Sequence, residues 1–121
     1  MIPESPALLV GLGGALGATL RYAVGEALAD RDTPFPVPTL AVNTLGTFTL
    51  GVLTFAGAGE DALLLFGTGL CGAFTTFSSF SVETVRLWDA GTRGLALAYA
   101  LGTLALAGVA LAAAWSLAGV V

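Results

Sequence analysis

The stretch GAFTTFSSF, residues 72–80, decides how this chain must be read. It lies inside Ala62–Val82, a run without one charged residue. Its second half nevertheless carries Thr75, Thr76, Ser78 and Ser79, and Phe74, Phe77 and Phe80 recur at every third position. About 20 apolar helical residues cross the roughly 30 Å core of a bilayer. Hydroxyls crowded into the centre of such a run call for a structural reason.

The rest of the chain supports the membrane reading. Of 121 residues, 56% are hydrophobic and only 10% charged, and the mean hydropathy is +0.92. A soluble domain has about a quarter of its residues charged, so a soluble enzyme is excluded on composition. Four segments are long enough to span: Ala7–Leu28, Pro38–Gly57, Ala62–Val82 with its helix continuing to about residue 86, and Gly94–Leu117. Only short connections remain, so residues 1–121 read as one integral membrane domain, all-α, with four transmembrane helices. A barrel would need alternating strands of about 10 residues, and these runs do not alternate. No basic region precedes the first apolar run, so a cleaved signal peptide is not expected. Histidine is absent and Cys71 is the one cysteine. A His-based metal site, a His triad and an intrachain disulfide are thereby excluded, and Cys71 reads as a small buried apolar residue. No nucleic-acid partner is expected.

There is no lysine, and eight acids face four arginines. A lysine-poor, acidic surface suits high salt, where charge repulsion is screened. The arginines are distributed unevenly. Arg31 lies in the connection between the first two segments and Arg21 near that end of the first, while Arg86 and Arg93 flank the connection between the last two. Both connections fall on the same face of a four-helix chain. Lys and Arg mark the inner face, which predicts both termini outside.

The segment ALLVGLGGALGATLRY, residues 7–22, imitates a dinucleotide-binding start, with Asp30 or Asp32 as the ribose-binding acid. That fingerprint needs a strand, a turn and a helix in a soluble sheet. The spacing here is GxGxxxG, and three further spanning segments follow. Gly13 with Gly17, and Gly14 with Ala18, instead place small residues four apart, as at a close helix–helix seam. Arg21 then either snorkels to the headgroups or sets a positive charge at an aqueous vestibule.

The second segment carries Thr39, Asn43 and Thr47 on one helix face. Polar groups at membrane depth face protein or a water-filled path. Asn43 is therefore either a pathway amide or an interhelical tie. Tyr99 and Thr103, also four apart, extend a polar track along the fourth segment. Gly72 followed by the hydroxyl cluster favours a break in the third helix near the bilayer midplane. Irregular backbone at that depth survives only where it is buried or lines a cavity. Freed carbonyls suit a hard cation, and half-helix N-termini favour anions. Phe77 and Phe80, three apart, share a face, and the positive edges of their rings, with an amide and hydroxyls, could replace part of an anion's hydration shell.

These residues carry a resemblance. GLCGAFTTFSSFSVET at 69–84, GGALGATLRY at 13–22 and TLAVNTLGTFTLG at 39–51 resemble, in order, the signatures of the Fluc/CrcB fluoride channels. The resemblance spans essentially the whole chain. It implies a dimer of antiparallel subunits that passively exports cytoplasmic fluoride across the cell membrane, with a structural Na+ at the dimer centre. It implies Na+ held by the backbone carbonyls of Gly72 and Thr75, a fluoride pathway through Asn43, Phe77, Phe80, Tyr99 and Thr103, and Arg21 at the vestibule. The next position on the fourth-helix track is Ala107, which lacks a hydroxyl, and Ser79 stands where the family often has Thr. A homodimer of opposed subunits needs each chain to insert both ways, yet the arginine bias is one-sided. The second subunit is therefore expected to be a sister chain of opposite bias. The rival reading is a small multidrug-type proton-coupled transporter subunit, which needs a carboxylate deep in the membrane. Glu26 and Glu83 are its candidates, and both sit near segment ends. A structural subunit without transport would not need the broken-helix motif.

Overall fold

Proline, serine and glycine punctuate this chain where its helices begin and end. In the computed structural model, which describes residues 5–30 and 32–120, helix α1 spans Pro6–Ala27. Ser5 caps it, its hydroxyl oxygen accepting the Leu8 N–H at 3.1 Å, and Pro6 stands where no N–H is needed. Helix α2, Val37–Phe55, starts after Pro36. Its end turns back at Gly57, φ 73°, where Ala58 N–H reaches the Leu53 carbonyl at 3.0 Å. Only glycine takes that left-handed turn without strain. The third span is interrupted. Helix α3, residues 60–74, is followed by two extended residues and then by α4, Phe77–Asp89. Gly91, φ 84°, closes α4 as Gly57 closes α2, and α5 runs over Arg93–Val120. Arg31 lies outside the described residues, and with it one of the arginines on which the orientation argument rests.

The chain has four stretches apolar and long enough to cross a membrane: Pro6–Ala27, Val37–Phe55, Glu60–Asp89 and Arg93–Gly119. No strand occurs among the described residues. This is an all-helical, multi-pass membrane protein. Helix α1 packs along α3, α2 along α5, and α4 against α5.

The packing is inverted relative to a soluble protein. Leu8, Leu12, Leu16 and Leu20, one per turn, are exposed along α1, as are Leu97, Leu101 and Leu104 on α5. The interior is lined by small residues, among them Gly13, Gly17, Gly46, Gly51, Gly67, Gly69, Ala96, Ala110 and Ala114. Lipid is as apolar as leucine, so burying leucine gains little there, whereas small residues let backbones approach. The seam uses Gly13 and Gly17, which are buried. Of Gly14 and Ala18, the second pair read from the sequence, Gly14 is half-buried at its edge with its Cβ position 3.9 Å from the Gly69 carbonyl oxygen, and Ala18 is exposed. A Cβ on Gly13 would land on the Leu65 carbonyl oxygen and lie 2.9 Å from the Leu70 nitrogen. A Cβ on Gly17 would strike the Leu70 carbonyl oxygen. The Cβ position of Gly69 is 3.0 Å from the Gly13 Cα, so two backbones meet with nothing between them.

Gly13→Ala is expected to destabilise the protein by about 1–3 kcal/mol, because backbone must move. Gly11→Ala, with open space around its Cβ, should be neutral or stabilising by up to about 1 kcal/mol through helix propensity. Thermal unfolding of the two variants in detergent checks this, and equal midpoints would refute the seam.

Candidate functional site

The site is built on the interruption between α3 and α4. Most of α3 is under-wound. Leu63–Cys71 is π-helical, with a last α-helical turn at Gly72–Phe74. Gly72 itself is helical, φ −62° and ψ −37°, so the break falls three residues later than the sequence reading began it. Thr75 (φ −83°, ψ 159°) and Thr76 (φ −150°, ψ 115°) are extended.

Asn43 on α2 holds those residues open. The Thr76 N–H donates to Asn43 Oδ1 at 2.8 Å, and Asn43 Nδ2 donates to the Thr76 carbonyl at 3.1 Å. One carboxamide thus pairs with a backbone residue as a neighbouring strand would. The Gly72 carbonyl thereby loses the N–H that would have closed the next helical turn. The Thr75 carbonyl is approached from α1, where Arg21 Nη1 donates to it at 3.2 Å.

The hydroxyls of the opening motif complete the two broken ends. Thr75 Oγ1 donates to the Cys71 carbonyl at 2.9 Å, beside the Thr75 N–H that reaches the same oxygen at 3.0 Å. Thr76 caps α4, its Oγ1 accepting the Ser79 N–H at 3.2 Å and donating to Ser79 Oγ at 3.2 Å, with Ser78 Oγ also 3.2 Å away. The Thr75 methyl sits directly over Gly46 of α2, so that glycine sets how near the break lies to α2.

A groove of about 640 Å³ opens beside this junction. Asn43, Gly72, Thr75, Phe77, Phe80 and Thr103 all line it, together with Thr47, Thr68, Thr76 and Ala107. None of its lining residues is charged. One side is open, for Gly72, Thr68 and Leu104 are exposed and Phe77 is 80% exposed. The Phe77 and Phe80 rings stand 5.9 Å apart. Thr47 and Thr103 spend their hydroxyl protons on their own helices, donating to the Asn43 and Tyr99 carbonyls at 2.7 Å each.

Two of the residues drawn from the sequence lie off the groove. Arg21 approaches the break from α1. Tyr99 does not line the groove. It is fully buried behind Phe80, 5.4 Å from that ring, with Phe35 edge-on to its other face at 5.6 Å. Its hydroxyl donates to Glu83 Oε2 at 2.8 Å, while Thr39 Oγ1 donates to Glu83 Oε1 at 2.9 Å. Helices α2, α4 and α5 are tied together through one carboxylate. Sequence reasoning weighed Glu83 only as a proton carrier and missed this tie. The signal was present, since Thr39 is one turn before Asn43 on α2 and Glu83 is one turn after Phe80 on α4. Glu26, the other carboxylate of the transporter reading, is exposed at the end of α1.

A family described as CrcB-like protein, Camphor Resistance (CrcB), matches residues 8–115. The chain belongs to the CrcB family. Two proteins more than half identical are relatives of this CrcB chain. "Fluoride-specific ion channel FluC 2" of Haloarcula marismortui is 54% identical over 121 residues, covering all of both chains. "Fluoride-specific ion channel FluC 1" of Halobacterium salinarum is 55% identical over 112 residues, 93% of this chain and 92% of that one. A more distant relative, "Fluoride-specific ion channel FluC" of Novosphingobium aromaticivorans, is 44% identical over 107 residues, 83% of this chain and 84% of its own. This CrcB chain is a membrane protein of a channel family and not an enzyme.

Asn43→Ala removes both sides of the Thr76 clamp and is expected to cost on the order of 3 kcal/mol, because a backbone donor and acceptor lose their partners. Asn43→Asp keeps the acceptor for the Thr76 N–H but not the donor, and should fall between. Hydrogen exchange at the Thr76 amide reads the clamp directly. Protection that survives in Asn43→Ala would show that something else holds the break.

Proposed function

We propose that this chain is a subunit of a fluoride-selective channel that passively releases cytoplasmic fluoride across the cell membrane. The observation that carries the reading is the uncharged groove at the helix break, where two phenylalanine rings, the Asn43 amide and threonines converge. Fluoride holds its water tightly, so dehydration is the main barrier to its passage. A row of weak donors can offset that barrier without trapping the ion, whereas a buried arginine would hold it. Asn43 retains one amide N–H beyond the bond to Thr76. The ring edges of Phe77 and Phe80 carry partial positive charge, and the α4 N-terminus adds the positive end of a helix dipole. The relatives' names, all fluoride-specific channels, support the same ion for this chain.

The open side of the groove supports a second subunit. Phe77 has little reason to be 80% exposed beside polar hydroxyls unless another chain closes over it. In our reading the partner is inserted with opposite orientation. It is a sister chain of opposite bias rather than a second copy, because the arginines Arg21, Arg31, Arg86 and Arg93 all favour one face. The positive-inside rule then puts both termini outside.

The donor set at the break suits Na+. Hard cations prefer neutral or anionic oxygens. The Gly72 carbonyl is released by the Asn43 clamp on Thr76, and Gly72 is exposed with open space where a Cβ would stand. The Thr75 carbonyl is freed by the same break and is shared with Arg21. Bound there, Na+ would supply the charge that neutralises carbonyl dipoles gathered between subunits. Gly72 and Thr75 would hold it through backbone, and Arg21 would orient the Thr75 peptide.

The purified chain, reconstituted together with its sister subunit in liposomes loaded with fluoride, is expected to release it quickly and to retain chloride, followed by a fluoride electrode. Phe80→Ile should lower the flux by roughly tenfold or more, the loss of one charge-assisted contact, without changing assembly on size exclusion. Unchanged flux in that variant would remove Phe80 from the pathway, and release of both halides would refute the selectivity. Site-specific labelling of the C-terminus in intact cells should find it outside. Equal populations on both faces would favour a homodimer.

A further inference from the structure

Thr68 differs from the other threonines of the groove. Thr47, Thr75 and Thr103 donate to carbonyls four residues back, and Thr76 is engaged with Ser78 and Ser79. The Thr68 hydroxyl has no hydrogen-bond partner among the described residues, and its residue is exposed on the groove side. The local backbone accounts for this. In an α-helix the Thr oxygen lies against the carbonyl three or four residues back. Thr68 falls inside the π-helical Leu63–Cys71, whose bonds run to the fifth residue. In that wider turn the Thr68 hydroxyl makes no bond back to its own helix, unlike Thr47, Thr75 and Thr103.

An O–H without an acceptor at membrane depth is unfavourable. Exposed on the groove lining, the Thr68 O–H is free to donate to an acceptor that enters the groove, where the carbonyls near Thr47 and Thr103 are already used. Helix α5 cannot take its place. One turn beyond Thr103, α5 presents Ala107 to the same groove, and a methyl offers no donor. Thr68 lies one turn before Gly72, on the side of α3 that leads away from the phenylalanines.

We propose that the Thr68 hydroxyl is a fluoride-binding donor on the α3 side of the break, supplying the contact that α5 lacks at Ala107. The inference rests on the channel reading above.

The test is fluoride efflux from liposomes for the wild type, Thr68→Val, Thr68→Ser and the double variant Thr68→Val/Ala107→Ser, with assembly followed by size exclusion. Thr68→Val is nearly isosteric and should assemble normally while flux falls by roughly tenfold, the scale of one hydrogen bond to a charged group. Thr68→Ser should conduct within about threefold of wild type, a difference well below the loss of that bond. A hydroxyl restored across the groove at residue 107 should recover much of the flux. Wild-type flux in Thr68→Val would overturn the proposal and leave the channel reading intact. Loss of assembly in Thr68→Val, rescued by Thr68→Ser but not by Ala107→Ser, would also overturn it by assigning the hydroxyl to a subunit contact. A wild-type chain that releases no fluoride, alone or with a sister subunit, would refute the channel reading itself.

Discussion

The structure turns on one side chain competing with a helix for a backbone residue. An α-helix through residue 76 would direct the Thr76 N–H to Gly72, but Asn43 takes that N–H and returns a donor to the Thr76 carbonyl. The exchange is nearly even in hydrogen-bond count, which is why it is possible in an environment without water to compensate. What it changes is the carbonyl of Gly72, left without its helical partner, and the direction of the chain. From that follow the separate N-terminus of α4, the placing of Phe77 and Phe80 at the groove, and the freed oxygens at the junction.

The break also depends on how closely backbones can pack. Arg21 reaches the Thr75 carbonyl because Gly13 and Gly17 let α1 lie directly on α3. The Thr75 methyl lies over Gly46, so α2 is near enough for Asn43 to clamp. A methyl at Gly13 or Gly17 would move the α3 backbone, and one at Gly46 would displace the Thr75 side chain at the junction. The glycine seam and the polar junction are therefore one constraint. The small residues are present less for packing energy, which lipid would supply to leucine equally well, than to bring a few polar atoms within bonding distance.

Much of this was legible in the sequence, for identifiable reasons. Spans are set by uninterrupted apolarity, and the predicted first segment, Ala7–Leu28, matches Pro6–Ala27 within a residue at each end. The last helix continues past residue 117 to Val120, running through Gly119. The hydroxyl-rich motif announced an interruption, since no apolar span needs it. The motif could not fix which residue leaves the helix. That depends on where Asn43 arrives from a different helix, and Gly72, the obvious breaker, stays helical. The Thr39–Asn43–Thr47 stripe was visible as one face, yet its members act separately: Thr39 on a carboxylate, Asn43 on a backbone, Thr47 on its own carbonyl. Periodicity shows which residues share a face. It does not show what stands opposite. The π-helical turn of α3 had no signature in residue type at all.

Glu83 shows how an anion groove can stand near a carboxylate. Its carboxylate bonds Tyr99 and Thr39 off the groove, and the Tyr99 ring packs against Phe80 at 5.4 Å. Each of its oxygens accepts a hydroxyl, one from Tyr99 and one from Thr39. Those two hydrogen bonds hold Tyr99 in place. A fixed Tyr99 in turn backs the Phe80 ring, with Phe35 bracing it from the far side. The carboxylate thus acts on the groove through ring position. In the proposed pathway this sets the position of the ring whose edge would meet the ion, a demand of geometry that apolar packing alone meets less strictly.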